Sequence, residues 1–113
     1  MKKLSVLILF TALAAAQSKD LTGNLDNGKR LFVRNGCYQC HGYVGQGGAA
    51  GARLAQTKLP LAGFTAFVRN PPPSGMPPYR AKVMSDQELA DVWTYIKSIP
   101  EPKPVKDIPL LNQ

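Results

Sequence analysis

The sequence predicts an all-α fold: a small single domain of three to four helices joined by glycine- and proline-rich loops, with no sheet. Three observations lead there. Apolar residues recur at helical spacing in three separate segments, and none of the chain alternates as a half-buried strand does. The 10 glycines and 10 prolines fall mostly between those segments, where they stop helices and shape loops. At 113 residues the chain allows one domain. A core this small is marginal unaided, so a metal or crosslink is usual at this size.

The first residues are expected to lie outside that fold. Lys2 and Lys3 form a positive n-region, Leu4 to Ala16 is almost wholly apolar, and Ala14-Ala15-Ala16 is a small-residue cleavage site. Residues 1–16 therefore read as a secretory signal peptide cleaved after Ala16, with export to the periplasm. The run is shorter than the roughly 20 residues of a membrane-spanning helix, so no stable span is expected. If the signal stays uncleaved, it anchors the protein to the membrane. Residues 17–24 are a polar lead-in, 25–100 the folded domain, and 101–113 a proline-rich tail.

Asn24 is placed to cap a first helix over Leu25 to Asn35, with Asp26 in the turn where a negative charge suits the helix dipole. Leu25, Gly28 and Phe32 recur at i, i+3 and i+7. A glycine in mid-helix costs roughly 1 kcal/mol against alanine, which points to another helix approaching closely there. Gly36 ends the helix.

The next residues are Cys37-Tyr38-Gln39-Cys40-His41, a C-x-x-C-H sequence, the attachment pattern of a c-type haem. Two thiols on one short helical turn can reach both vinyl groups of one porphyrin. The following imidazole then lies below the ring with a nitrogen toward the iron. The chain has 2 cysteines and 1 histidine, so a four-ligand zinc site cannot be completed from Cys and His. A thioredoxin-type C-x-x-C belongs in a βαβ context that is absent here. A local disulfide remains open but leaves His41 without a role.

Gly42, Gly45, Gly47, Gly48 and Gly51 follow. They lack the G-K-[ST] ending and preceding strand of a phosphate loop, and suit a backbone wrapped closely around a ring edge. Pro60 opens a helix from Leu61 to Arg69, whose apolar side is Leu61, Phe64, Phe67 and Val68; Pro71 ends it. Pro71 to Tyr79 is an extended, proline-braced stretch containing Met76. Ser85 and Glu88 form a capping box that opens a helix to Ser98, with Leu89, Val92, Trp93 and Ile96 on one face. Pro100, Pro102, Pro104 and Pro109 make the remainder an extended tail.

A haem held by His41 has no second histidine in the chain. Met76 and Met84 are the candidates for the far side of the iron. Met84 precedes the cap of the last helix and can pack on Leu89 as a hydrophobic staple. Met76 has no such role, and its stiff loop suits presentation of a thioether, so Met76 is favoured. The alternative keeps Met76 as a packing residue and leaves one iron face open. His/Met ligation raises the reduction potential and fills both axial positions, which suits one-electron transfer.

Charge adds a partner class. Without the signal peptide, 12 of the 14 basic residues remain against 7 acidic ones. No carboxylate lies between Asp26 and Asp86, whereas Lys29, Arg30, Arg34, Arg53, Lys58, Arg69, Arg80 and Lys82 do. Eight cations exceed what two haem propionates need, so an acidic docking face on a redox partner is expected. No recognition motif for nucleic acid accompanies the charge.

With these motifs in order over roughly residues 24–100, the chain resembles a class I (monohaem) cytochrome c. Gly28 and Phe32 match the first helix of that family. Val92 and Tyr95, with Trp93 as an added candidate, match the residues of its last helix that cross onto that glycine. Met76-Pro77-Pro78-Tyr79 resembles its methionine loop. The family's Gly-Pro-x-Leu segment, whose proline carbonyl accepts the histidine's other N–H, corresponds to Gly51-Ala52-Arg53-Leu54, with alanine in the proline's place.

The resemblance implies covalent haem c, one per chain. Cys37, Cys40, His41 and Met76 would hold the cofactor, and His41 and Met76 would ligate the iron. The expected function is periplasmic electron transfer between a redox donor and acceptor, without catalysis of its own. Two alternatives stand beside it: a haem subunit permanently bound to a dehydrogenase or oxidase, and a gas-binding or peroxidatic haem protein with a labile sixth ligand.

Overall fold

The computed structural model describes residues 21–112. The signal peptide expected over 1–16 and the beginning of the lead-in lie outside them. The chain forms helices α1 (Leu25–Arg34), α2 (Cys37–His41), α3 (Leu61–Arg69) and α4 (Asp86–Ser98). No strand forms among the described residues; a single isolated bridge joins Gly48 and Gly51.

Local chemistry sets the helix ends. The Asn24 side chain accepts the Asn27 N–H at 2.8 Å, and Asn35, expected inside α1, is instead its C-cap. Gly36 turns the chain in the left-handed region, φ 74°, and α2 begins at once. At α4, Ser85 Oγ accepts the Glu88 N–H at 3.1 Å and Glu88 accepts the Ser85 N–H at 2.8 Å, which completes the capping box.

The main packing contact is α1 across α4; α3 also lies on α4, and α2 abuts α1. Gly28 makes the crossing possible. A Cβ at that position would overlap the Asp91 carbonyl oxygen and stand 2.9 Å from Tyr95 Cβ. Tyr95 meets Phe32 edge-on, with ring centroids 5.5 Å apart. The core gathers Leu31, Phe32, Phe64, Val68, Met84, Leu89, Val92, Tyr95 and Ile96. Burying a leucine or phenylalanine side chain of this kind stabilises the fold by about 1.5–3 kcal/mol.

Periodicity alone misplaced two residues. Leu25 is 43% exposed, and Leu31 takes its place in the core. Phe67 is 48% exposed, because α3 buries only Phe64 and Val68. Trp93, expected on the apolar face of α4, is half-buried and packs against the core. Its indole N–H donates to the Leu59 carbonyl at 2.9 Å, and Lys97 Nζ sits 4.2 Å from the ring centroid. The tail is not uniformly extended, since Val105–Asp107 and Pro109–Leu111 each form a 3₁₀ turn. The Asn112 side-chain amide ties these turns together by donating to the carbonyls of Val105, Lys106 and Ile108.

Candidate functional site

Helix α2 is one short turn, and it carries Cys37, Cys40 and His41 together. Cys37 is half-buried against the core, and Cys40 is exposed. Burial pushes the Cys37 thiol up to about 11, against the smaller opposing pull of its own backbone N–H. A redox-active C-x-x-C has the opposite tendency, a lowered thiol pKa.

His41 Nδ1 lies 2.7 Å from the Ala52 carbonyl oxygen. A carbonyl can only accept, so Nδ1 carries the hydrogen and Nε2 keeps the lone pair for a metal. The alanine that replaces the expected proline therefore still supplies the orienting carbonyl. Its loop is shaped by glycines. Gly45 and Gly47 have φ of 60° and 80°. Gly47 N–H donates to the His41 carbonyl at 2.8 Å, and Gly45 O accepts from Leu54 and Ala55 at 2.8 and 2.9 Å. A Cβ on Gly51 would stand 2.8 Å from the Cys40 carbonyl oxygen and 2.9 Å from His41 Cε1. Glycine at that position lets the loop lie flat against the imidazole edge.

Met76 is half-buried and packs against the core, as do Cys37, Leu54, Leu61 and Tyr79. Met84 is 2% exposed and sits within the core beside Leu89, consistent with its packing role. The segment bearing Met76 is pinned by Tyr79 three residues later. Tyr79 N–H donates to the Val68 carbonyl at 3.0 Å, and its hydroxyl donates to the Asn35 carbonyl at 2.8 Å. Burial raises the Tyr79 hydroxyl above the usual tyrosine range, and the nearby sulfurs of Cys37 and Cys40 push it the same way. The Asn35 bond thus ties the methionine segment to the chain just before the cysteine turn, and Cys37, Met76 and Tyr79 pack against the same core.

Two residues that pattern reasoning did not single out hold this arrangement. Arg69 donates to the Tyr79 and Met84 carbonyls at 2.7 and 2.5 Å and pairs with Asp86 at 2.6 Å, bracing both ends of the segment between the methionines. Asp91 is 2% exposed; its carboxylate accepts from the Asn24 N–H and the Asn27 amide at 2.7 Å each, and from the Gln87 amide at 2.9 Å. Burial alone would raise its pKa, but these three donors outweigh it and hold the carboxyl below the ordinary aspartate value. No local signal marked Asp91, which lies on α4 away from the Leu89–Val92–Ile96 face, beside Gln87, Glu88 and Thr94. Arg69 resembled any other cation in a basic segment.

The basic segment is less uniform in space than in sequence. Arg34 pairs with Glu88 at 3.1 Å, Arg53 with Glu101 at 3.5 Å, and Arg69 with Asp86. Carboxylates from beyond the C-terminal end of the run thus return to it. Lys29, Arg30, Lys58, Arg80 and Lys82 have no carboxylate partner among the described residues.

The donor set fits haem c: two thiols on one turn, an imidazole with Nε2 left for iron, and a thioether on a braced loop. Comparison with known proteins agrees. Residues 23–96 match the family described as cytochrome c oxidase, cbb3-type, subunit III. The chain is 31% identical over 99 residues to cytochrome c-555 of Methylococcus capsulatus (strain Bath), covering 83% of this chain and 77% of that protein. No solved structure matches the chain significantly.

Proposed function

The chain belongs to the cytochrome c family, as a monohaem class I member with covalently bound haem c, and on that footing we propose that it is a periplasmic one-electron carrier whose iron is ligated by His41 and Met76. The single observation that carries this reading is the His41 Nδ1–Ala52 carbonyl contact at 2.7 Å. It commits one imidazole nitrogen and leaves the other to the metal.

When bound, the haem supplies a one-electron ferric/ferrous couple. The protein residues set how that couple behaves. Ala52 holds the His41 ring in one tautomer and orientation and strengthens the imidazole as a donor. Met76 offers a soft thioether, which favours the ferrous state and raises the potential. Tyr79 and Arg69 fix the loop that presents it, so little rearrangement accompanies a change of oxidation state. Leu54, Leu61 and Tyr79 add apolar surface packed on the core. With His41 and Met76 both committed to the iron, no position would be left for a substrate, and the protein would exchange electrons without catalysing a reaction of its own.

Export rests on the signal-like residues 1–16. No helix among the described residues is long and apolar enough to cross a membrane. The redox donor and acceptor dock on this chain, and Lys29, Lys58, Arg80 and Lys82, which have no carboxylate partner among the described residues, favour a partner with an acidic face.

A second reading, a haem subunit held permanently in an oxidase or dehydrogenase, is favoured by the matching family's description as an oxidase subunit. The apolar residues exposed on the tail, Val105, Leu110 and Leu111, suit such a dock. Acid–acetone extraction of periplasmic protein tests the primary reading: the colour stays with the polypeptide if Cys37 and Cys40 hold the haem. Elution of the native protein as a lone monomer supports the carrier, and co-elution with larger chains supports the subunit.

A further inference from the structure

Among the described residues, Gln56 is the one non-glycine with positive φ, at 56°. That conformation crowds Cβ against the backbone and costs an L-residue free energy that glycine would not incur. Gln56 nevertheless occupies it at a junction between the histidine loop and the end of α4. Its backbone N–H donates to the Ile96 carbonyl at 3.0 Å. Its side-chain amide donates to the Ile99 carbonyl, and its amide oxygen accepts from Arg53. Arg53 in turn reaches Glu101 at 3.5 Å.

These bonds satisfy carbonyls that α4 leaves open at its C-terminus. They also grip the loop at Gln56 and, through its side chain, at Arg53, which directly follows Ala52. On the near side, Leu54 and Ala55 are hydrogen-bonded to Gly45. The Ala52 carbonyl is therefore suspended between α2 and the end of α4, with Gln56 as the tie to α4.

We propose that Gln56 is a positioning residue for His41: by clamping the loop to the end of α4, it holds the Ala52 carbonyl against His41 Nδ1 and thereby sets the donor strength of the imidazole. The inference rests on His41 being the axial ligand. The strained backbone is accepted because glycine, which would relieve it, has no amide with which to reach Ile99 and Arg53.

Gln56→Gly separates the clamp from the strain, since glycine adopts the same φ freely. Gln56→Ala removes the side-chain part of the clamp, leaves the backbone bond to Ile96 and retains the strain. In the reduced holoprotein, exchange of the His41 Nδ1 proton with solvent is followed by NMR, alongside the amides of α1 and α4 and the reduction potential. Both variants are expected to speed exchange of that proton about tenfold or more, while amides at the Gly28 crossing keep wild-type protection. The potential rises in both, because a weaker bond at Nδ1 makes the imidazole a poorer donor to ferric iron. Wild-type proton exchange and potential in Gln56→Gly overturn the proposal, as does a uniform loss of protection across α1 and α4, which marks a general structural role. Absence of ring-current-shifted His41 resonances in the wild type would instead defeat the ligand assignment itself.

Discussion

Gly28 and Asp91 stand backbone to backbone where α1 crosses α4, so close that the glycine hydrogen occupies space no Cβ could take. The same Asp91 sends its side chain along the crossing to Asn24 and Asn27 at the start of α1. One residue therefore fixes both the approach of the two helices and their register.

Gly28→Ala is expected to destabilise the protein by about 3 kcal/mol, the upper end for overpacking, because the opposing atom is backbone and cannot rotate away. The gain in helix propensity, roughly 1 kcal/mol, is already within that net figure. Guanidinium unfolding of the holoprotein measures the loss. Wild-type stability would mean the crossing is looser than this geometry.

Asp91 makes stability depend on pH in a defined direction. Its folded pKa lies below the ordinary value, so the folded state binds fewer protons than the unfolded one near pH 4. The stabilisation is complete above the ordinary aspartate pKa and is lost as pH falls through the folded value. Glu88 acts with the same sign, its carboxyl lowered first by the Ser85 N–H, against opposition from burial, and then by Arg34. Asp91→Asn should cost about 2 kcal/mol at neutral pH, since an amide cannot accept all three donors. It should also flatten the acid limb of a stability–pH curve. An unchanged limb would assign that pH dependence elsewhere.

The two methionines should separate cleanly. Met76→Ala is expected to abolish the weak near-infrared band of oxidised protein and to let carbon monoxide bind the reduced form. Met84→Ala should keep the band and lose about 3 kcal/mol of stability, as buried truncations do. The reverse outcome exchanges their roles.

Charge reversal at Lys29, Lys58 or Lys82 should lower the second-order electron-transfer rate with an acidic acceptor and leave the haem spectrum unchanged. At about 0.15 M salt the Debye length is roughly 8 Å, so these exposed charges act mainly on encounter. Arg34, Arg53 and Arg69 are poor test positions because each already holds a carboxylate. A rate insensitive to salt and to all three lysine reversals favours a permanent, uncharged interface.

What the sequence determined by itself is what depends on residues close along the chain. A cap needs a side chain within one turn of the N–H it serves, so Asn24 and the Ser85–Glu88 box were legible, and α3 and α4 began and ended as their prolines and caps implied. The C-x-x-C-H turn was legible for the same reason, as was the stiff proline loop around Met76. Tertiary structure decided the rest, because partners far apart in sequence leave no local trace. Asp91 meets Asn24 across 67 positions, Tyr79 meets Asn35 across 44, and Arg53 reaches Glu101 across 48. Which apolar residue is covered was also settled there. Leu31 displaces Leu25, and Phe67 stays half in water, because burial depends on where α4 passes over each helix and periodicity gives only the face. The uncovered charge was decided likewise: three carboxylates from beyond the basic run fold back onto its arginines, and among the described residues Lys29, Lys58 and Lys82 hold no carboxylate.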